Sequence, residues 1–343
     1  MKRYLEKKKI KNSKKRRLLT GVLMSTVLFS ESVALSGCSQ YENKSESSDR
    51  YIAVICKGTQ HEFWKSVEQG ARDAGEEINA KITFEAPEDE SMIKVQIEMV
   101  EKAIENKADA IVLAPLDTVQ LNDVIEEAEL EGIPVLTLDS DVESNVRVAS
   151  IGTDNIIAGA IAARKAADLI GEEGEIAIIS HVKGAQTALA RNVGFTDEIE
   201  AINKDSMKIV DVEYSGGESK VAKQQAKELI ARYPDLKCIY ATNEGSAVGA
   251  AAAIKSLGLK DDIVVIGFDS SEQEIAYLEE GYIDGMMVQN PYNMGYLGVR
   301  NINKVLNGEN IEELINTGAT YVDRTNLKDE DTQWLLYPMG NEE

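Results

Sequence analysis

The feature that most constrains the fold is an alternation of short apolar segments with amphipathic helices, which runs along the chain twice. The first apolar segment covers residues 51–56. It is too short to span a membrane and contains no polar interruption, which is typical of a strand buried on both faces of a sheet. Apolar residues then recur at steps of three and four from Phe63 to Ile78, which predicts a helix with one stripe packed on that sheet.

The alternation begins again after a long helix rich in alanine and glycine, which Asp154 is predicted to cap and Gly171 to end. Strands are predicted at 51–56, 82–84, 110–114, 133–138 and 146–151 before this helix, and at 176–179, 209–212, 238–241, 263–268 and 283–288 after it. Strands that alternate with helices form parallel sheets covered on both faces. The sequence therefore predicts an α/β fold of two similar doubly wound parallel-sheet lobes, joined near Thr153.

The last part of the predicted fold is a closing helix at 293–306, followed by a segment without a helical stripe. We expect this segment, residues 311–322, to return across the lobes as extended chain.

The N-terminus is predicted to be a targeting segment. Residues 1–17 contain ten Lys and Arg, residues 18–36 are largely apolar, and Leu-Ser-Gly-Cys follows at 35–38. This pattern resembles a bacterial lipoprotein signal peptide, which implies cleavage before Cys38 and a diacylglyceryl group on its sulfur. An ordinary membrane anchor is the alternative, but Glu31 and the short apolar run argue against it. Residues 38–50 would then be a flexible tether.

The charge of the chain disfavours nucleic acid as a partner. The net charge is −22, and ten of the positive but only two of the negative charges fall within residues 1–37, so the remainder carries about −30. Such a surface repels phosphate backbones and anionic lipid, and acyl chains would have to hold the protein at a membrane. Plain solubility is a sufficient alternative explanation of the charge itself.

Polar and aromatic residues lie where the predicted strands end or the following helices begin. The polar set is Lys57, Asp139, Arg191, Asn243, Asp269 and Gln289, and Phe63 and Trp64 follow the first strand. Ligands of open parallel sheets bind at the carboxyl ends of the strands. Carboxylate and amide oxygens accept hydrogen bonds from hydroxyl groups, Arg and Asn donate in return, and aromatic rings cover the apolar face of a sugar. We therefore expect a polyhydroxylated ligand.

These residues carry a resemblance to a known family. Asn243 stands in ATNEGSAVGA, Asp269 in VVIGFDSS, Asp139 in IPVLTLDSD, Arg191 in ALARNVGF and Gln289 in MMVQNPYNMG. In this order they resemble the ribose-binding protein type of periplasmic sugar-binding proteins, from residue 51 to about residue 323. The five motifs are short, and it is their combination that is specific.

The resemblance implies two lobes, 51–153 plus 290–318 and 154–289 plus 319–343, with hinge crossings near 153–154, 289–290 and 318–319. It implies a monomer that closes on a monosaccharide outside the cytoplasm and docks on an ABC-type permease, with no cofactor and no metal. The five motif residues would hydrogen-bond the sugar, and Phe63 and Trp64 would supply ring contacts.

The chain also departs from the family pattern. Family members often carry a small polar residue in place of Lys57, Asn in place of His61, and Arg in place of Ser140. We hypothesise that Lys57 replaces this arginine and pairs with Asp139 or with the ligand. The aromatic residue of the second lobe falls at Gly217. The pocket is thus not a copy of the ribose site. Lys57 followed by Asp139-Ser140-Asp141 also resembles the pattern of relatives that bind deoxysugars or the furanosyl signal autoinducer-2.

Simpler interpretations exist for single residues. Asp139 and Asp269 could be helix caps, Trp64 could belong to the core, and Lys57 could be a solvated lysine. His61 and His181 are the only histidines, and we treat both as candidates for ligand contact.

Three other functions remain to be weighed. Asp139 and Asp269 could be the carboxylate pair of a glycosidase, but no nucleophile motif, metal cluster or phosphate loop accompanies them. A repressor of the lac type would need a basic helix-turn-helix where this chain has its targeting segment. A receptor that senses a sugar or a furanosyl signal for a membrane kinase or chemoreceptor would have the same site, so the sequence leaves this alternative open.

Overall fold

The structure is a computed structural model that describes residues 50–203 and 205–337. The predicted signal peptide, the lipidation site Cys38 and the tether up to residue 49 lie outside the described residues. From the start of this range, the first half of the chain forms, in order, β1 (Arg50–Ile55), α1 (Glu62–Glu77), β2 (Ala80–Glu85), α2 (Ile93–Glu105), β3 (Ala110–Leu113), α3 (Asn122–Leu130), β4 (Val135–Leu138) and β5 (Ala149–Gly152).

The second half repeats this order after one connecting helix. It forms α4 (Asn155–Ile170), β6 (Gly174–Ser180), α5 (Gln186–Asn203), β7 (Met207–Tyr214), α6 (Ser219–Arg232), β8 (Leu236–Ala241), α7 (Glu244–Leu257), β9 (Val264–Phe268), α8 (Glu272–Glu280) and β10 (Gly285–Gln289). The chain then continues through α9 (Pro291–Leu306), β11 (Leu314–Asn316), β12 (Ala319–Asp323) and α10 (Glu330–Leu336).

Among the described residues the strands form two six-stranded sheets with matching orders, β11-β5-β4-β3-β1-β2 and β12-β10-β9-β8-β6-β7. Neighbouring strands pair in parallel, except that β12 runs antiparallel to β10. Each sheet is buried between helices on both faces, as the unbroken apolar strands predict. The predicted α/β fold of two doubly wound lobes is confirmed.

The chain passes between the two sheets at three places. These are the turn from β5 into α4, the turn from β10 into α9, and the short link between β11 and β12. The first and third crossings lie side by side: the hydroxyl of Thr153 donates to the carbonyl of Gly318 at 3.2 Å, and the Asp154 N–H donates to Asn316 at 3.2 Å. Gly318 has a φ of +74°, which a glycine adopts without steric penalty.

The segments at the sheet edge explain where prediction and structure differ. Residues 311–322 were expected to be extended, and they are divided between β11 of one sheet and β12 of the other. Helix α10 was not predicted, because its seven residues are too few to show a helical period. Its largest apolar residue, Trp334, is 64% exposed, so it does not mark a buried face either. The helix predicted from Asp154 to Gly171 is observed: the Asp154 carboxylate accepts from the Ile157 N–H, and Gly171 ends the helix in a left-handed conformation.

The two cysteines in the described range are free and buried, Cys56 in the first lobe and Cys238 in the second. Burial raises the pKa of both thiols. No helix in residues 50–203 and 205–337 has the length and apolarity to cross a membrane.

Candidate functional site

The predicted site residues come together at the ends of the strands that face the gap between the lobes. They line one cavity of about 350 Å³, open solvent included, whose walls comprise Lys57, His61, Phe63, Trp64, Glu90, Asp139, His181, Thr187, Arg191, Asn243, Asp269 and Gln289. All nine candidates from the sequence are in this set. His181, the second histidine considered above, also lines it, and Glu90 and Thr187 are the additional members.

The first lobe contributes a buried ion pair. Lys57 follows β1 and Asp139 follows β4, and the Nζ of Lys57 lies 2.7 Å from Oδ2 of Asp139. The same ammonium donates to the hydroxyl of Ser140. Lys57 is only 4% exposed and Asp139 8%, so both charges are largely shielded from water. Each is stabilised mainly by the opposite charge of its partner. Lys57 is therefore not a solvated lysine, and it pairs with Asp139, which is one of the two partners that we hypothesised for it.

Asp139 and Asp269 occupy equivalent positions in the two lobes, and both have unusual backbone conformations. Their φ angles are 63° and 87°. The Asp139 N–H donates to Ile151 at 2.8 Å and the Asp269 N–H donates to Met287 at 2.9 Å, which fixes each aspartate to the next strand of its sheet. Left-handed backbone is uncommon outside glycine but is tolerated by Asp and Asn. Such strain concentrates at functional sites, and here it occurs at the same point of both lobes.

The second lobe holds Asp269 within a group of donors. Its carboxylate accepts from the Gln289 side chain at 2.7 Å and from the Glu244 N–H at 3.0 Å. Burial raises the pKa of Asp269, and the nearby Arg191 guanidinium and these two hydrogen bonds oppose that shift. Asp269 is thus a desolvated acceptor, which strengthens any hydrogen bond that a ligand donates to it.

Arg191 is fixed in the cavity wall by contacts on several sides. It donates to the Asn155 side chain at 2.7 Å and to the Thr242 carbonyl at 2.6 Å. Its guanidinium lies 3.6 Å from the centre of the Phe268 ring, a cation–π contact. These bonds use two of its five N–H donors, so the remainder can serve a ligand in a preset orientation.

Asn243 and Gln289 each have a hydrogen-bonding group that is available to a ligand. The Asn243 oxygen caps α7 by accepting from the Ser246 N–H at 3.0 Å, which leaves its amide N–H groups as donors. Gln289 donates to Asp269, and its Oε1 is buried without a partner among the described residues. A buried acceptor of this kind is costly unless a ligand satisfies it. This part of the wall therefore offers an acceptor to a hydrogen-bond donor of a ligand.

The two aromatic candidates have different roles. Phe63 and Trp64 meet edge to face, with ring centres 4.8 Å apart. Trp64 is 4% exposed, packs in the core of the first lobe, and donates from its indole N–H to Glu90 at 3.1 Å. Phe63 is only half-buried. Trp64 is consequently both a core residue and part of the cavity wall. The ring of Phe63 is the more exposed of the two and so the more accessible to a ligand.

The two histidines have opposite environments. Burial by itself would lower the pKa of His61, but the hydrogen bond and charge of Glu244, together with Glu90 and Asp269, raise that pKa to about 9. His61 Nδ1 lies 3.4 Å from Glu244. Burial and the charges of Arg191, Lys57 and His61 hold the pKa of His181 well below its usual value. His181 is thus neutral, with its ring nitrogens 2.8 and 2.9 Å from hydroxyls of Thr242 and Thr187.

Gly217, where the family pattern has an aromatic residue, lies at the edge of the site. A Cβ at this position would be 3.6 Å from both the Asn243 amide nitrogen and His61 Nε2. Gly217 also has a φ of +82°, which disfavours a side chain there. His61 of the first lobe therefore borders the space that a second-lobe aromatic ring would take.

The additional cavity residues gave little signal in the sequence. Glu90 lies between β2 and α2, and Thr187 is one residue inside α5, where glutamate and threonine are ordinary. His181, which was already considered as one of the two histidines, directly follows β6 and so obeys the same strand-end rule as Lys57. Among residues 50–203 and 205–337, no cluster of His, Cys, Asp and Glu has the arrangement of a metal site.

Comparison with known proteins finds a matching family and similar proteins. The family described as "Periplasmic binding protein domain" matches residues 52–310. A curated relative, the ribose import binding protein of Bacillus subtilis, is 27% identical over 251 residues, which is 73% of this chain and 78% of that protein.

Two solved structures are also similar. A solute-binding protein of Agrobacterium vitis with bound D-fucose is 37% identical, with a TM-score of 0.81 over 84% of this chain and 100% of that one. A carbohydrate transporter solute-binding protein of Agrobacterium radiobacter in complex with D-arabinose is 31% identical, with a TM-score of 0.81 over 84% of this chain and 99% of that one.

Proposed function

Because the chain belongs to the family of periplasmic binding proteins, and within it to the ribose-binding type, we propose that it captures a neutral monosaccharide by closure of its lobes and delivers it to an ABC-type permease. The observation that carries this proposal is the cavity between the strand ends, which both lobes line with hydrogen-bonding groups. Relatives bind D-fucose and D-arabinose, which supports a small sugar as the ligand.

The pairing of charges in the cavity favours a ligand without net charge. Lys57 faces Asp139, and Arg191 lies near Asp269. His61 lies near Glu90 of the cavity wall and faces Glu244, which lies outside the wall. An anionic or cationic ligand would have to displace one of these partners and leave it buried and unpaired. A polyol needs no such displacement, because its hydroxyl groups donate to Asp269 and Gln289 and accept from Arg191 and Asn243.

The same contacts support binding without chemical reaction. A glycosidase needs one carboxyl group as proton donor and a second as base or nucleophile. Asp139 is held in its ion pair with Lys57, and Asp269 accepts from Gln289 and from a backbone N–H. Both carboxylates are thus engaged as acceptors, which is the state that holds sugar hydroxyls.

The proposal is tested by calorimetry and thermal unfolding with D-fucose, D-arabinose, D-ribose and D-allose. We expect at least one of them to bind with a dissociation constant of about 1 μM, which corresponds to roughly −8 kcal/mol. At a hundredfold excess over that constant, the ligand adds about 2.7 kcal/mol to the free energy of unfolding and raises the melting temperature. An open-chain sugar alcohol is the control. Failure of every sugar to bind or to stabilise the protein would contradict the proposal.

We further propose that Cys38 carries a lipid that holds the protein at the outer face of the cell membrane. The motif at 35–38 supports this proposal. Replacing Cys38 with serine removes the sulfur that the lipid needs, so the variant is expected to leave the membrane fraction. Fractionation of cells that express the wild type or the variant measures this, and Cys238→Ser is the control because Cys238 is buried in the second lobe. Equal retention of the Cys38 and Cys238 variants would argue against lipidation.

A further inference from the structure

Three helix N-termini meet across the cleft, outside the cavity just described. Helix α1 of the first lobe begins at Glu62, and helices α7 and α8 of the second lobe begin at Glu244 and Glu272. The Glu62 carboxylate accepts from the Glu272 N–H at 3.0 Å. The Glu244 carboxylate accepts from the Glu62 N–H at 3.0 Å. Each lobe thus presents a carboxylate to a helix N-terminus of the other lobe.

These contacts satisfy groups that a helix leaves open. The first N–H groups of a helix have no partner within it, and the positive end of the helix attracts a carboxylate. Helix α1 lacks a cap of its own, because His61 at the cap position makes no side-chain hydrogen bond to the helix. Glu244 supplies the missing acceptor from the opposite lobe. This bond exists only while the lobes are together.

His61 adds an ion pair to the same place. Its ring faces Glu244 of α7 at 3.4 Å, and the nearby charges of Glu90 after β2 and Asp269 after β9 are also negative. Protonated His61 therefore attracts carboxylates of both lobes. We name Glu62, His61 and Glu244 together the interlobe clasp.

The two carboxylates of the clasp lie apart from the proposed sugar cavity. Glu62 and Glu244 line a neighbouring cavity of about 510 Å³, open solvent included, which shares the wall residues Phe63, Asp269 and Gln289 with the first. Neither glutamate is among the described residues that line the first cavity. This placement points to a contribution through closure of the lobes instead of through contact with the ligand.

We propose that the interlobe clasp stabilises the closed arrangement of the lobes, so that Glu62 and Glu244 set the affinity for the ligand without touching it. This inference rests on the proposed function for its ligand but concerns the closure itself. A ligand that needs both lobes binds in proportion to the population of the closed state. Loss of the clasp lowers that population and with it the apparent affinity.

The experiment compares Glu62→Ala/Glu244→Ala with the matched double variant Glu76→Ala/Glu279→Ala. The control removes two exposed glutamates from α1 and α8 at positions away from the helix N-termini. Small-angle X-ray scattering measures the radius of gyration with and without D-fucose and D-arabinose, and calorimetry measures affinity. We expect the clasp variant to have the larger radius and about tenfold weaker binding, as charge-assisted bonds at helix ends suggest. Glu62→Gln/Glu244→Gln, which keeps an acceptor oxygen, should be intermediate.

The outcomes separate the clasp from the proposed function. A radius of the clasp variant equal to that of the wild type, with and without sugar, overturns the clasp. A larger radius of that variant supports it even if neither sugar binds, and absent binding then counts against the proposed function alone. If the glutamine variant binds sugar as weakly as the alanine variant, the clasp depends on charge. If it binds as tightly as the control, an acceptor oxygen suffices. Both results support the clasp.

A pH series tests the part of the clasp that His61 forms. The pKa of His61 is raised to about 9 in this arrangement, so its contribution to closure is complete below its usual pKa and is lost as the pH rises through about 9. From pH 7 to pH 9 we expect the closed population to fall, with about tenfold weaker sugar binding. The radius of gyration follows the same series without sugar. His61→Gln should show a flatter profile, and identical profiles of the variant and the wild type would overturn the role of His61.

Discussion

Replacing Asp269 with asparagine is expected to weaken sugar binding at least a hundredfold while the ligand-free protein keeps its fold. Asp269 is the desolvated acceptor of the second lobe, and it accepts from Gln289 and from the Glu244 N–H. A hydrogen bond to a buried charged group is worth about 1.5–3 kcal/mol, and a hundredfold loss corresponds to about 2.7 kcal/mol. Asparagine also tolerates the left-handed backbone at this position, which alanine does not.

The matched control for this prediction is Asp284→Asn. Asp284 belongs to the same lobe and accepts from the Val265 N–H at 2.9 Å, but it precedes β10 and so lies at the opposite end of the strand from Gln289. We expect the control to bind sugar like the wild type, even where its melting temperature falls. Calorimetry with the best ligand of the sugar panel measures both variants. Unchanged affinity of Asp269→Asn would remove Asp269 from the binding site.

Replacing Lys57 with methionine is expected to lower the free energy of unfolding by about 3–5 kcal/mol, because one partner of a buried ion pair is left without the other. Asp139 would keep its carboxylate in a site where it is 8% exposed, without the ammonium at 2.7 Å. Methionine has a similar length and adds no polar group, so the lost charge is the main change. Urea unfolding of the ligand-free protein measures the effect.

A second substitution tests whether the ion pair is the cause. In Lys57→Met/Asp139→Asn both charges are absent, and asparagine preserves the left-handed backbone of residue 139. We expect the double variant to be more stable than Lys57→Met and to bind sugar more weakly than the wild type. If the second substitution adds to the loss of the first instead of offsetting it, the two side chains do not act as a pair.

The sequence allowed the site to be predicted because its residues follow a rule of position. Parallel strands end at one edge of a sheet, so Lys57 could be placed near Asp139 in the first lobe, and Asp269 near Gln289 in the second. That the two lobes turn these edges toward one cleft was implied only by the resemblance to the sugar-binding family. Glu62 and Glu244 could not be recognised, because a glutamate in the first turn of a helix is ordinary and only the meeting of the lobes gives it a partner. The same applies to Glu90, whose contact with Trp64 depends on how a loop folds back.

The buried strands and the helices of the fold could be predicted from the sequence, whereas the edge strands β11 and β12 could not. Strands buried on both faces gave continuous apolar segments, and the helices between them gave clear periodicity. The edge strands β11 and β12 are three and five residues long and partly exposed, so their apolar pattern is weak. Their pairing with two different sheets follows from the hinge and not from their own composition.

The burial of both cysteines has a practical consequence. Cys56 and Cys238 are 1% and 0% exposed, and the raised pKa of each keeps it as an unreactive thiol. A maleimide dye would therefore label a cysteine introduced on the surface while leaving these two unmodified. Placed beside the mouth of the cleft, such a dye would sense lobe movement as a change in fluorescence, which would make the protein an optical probe for its own ligand.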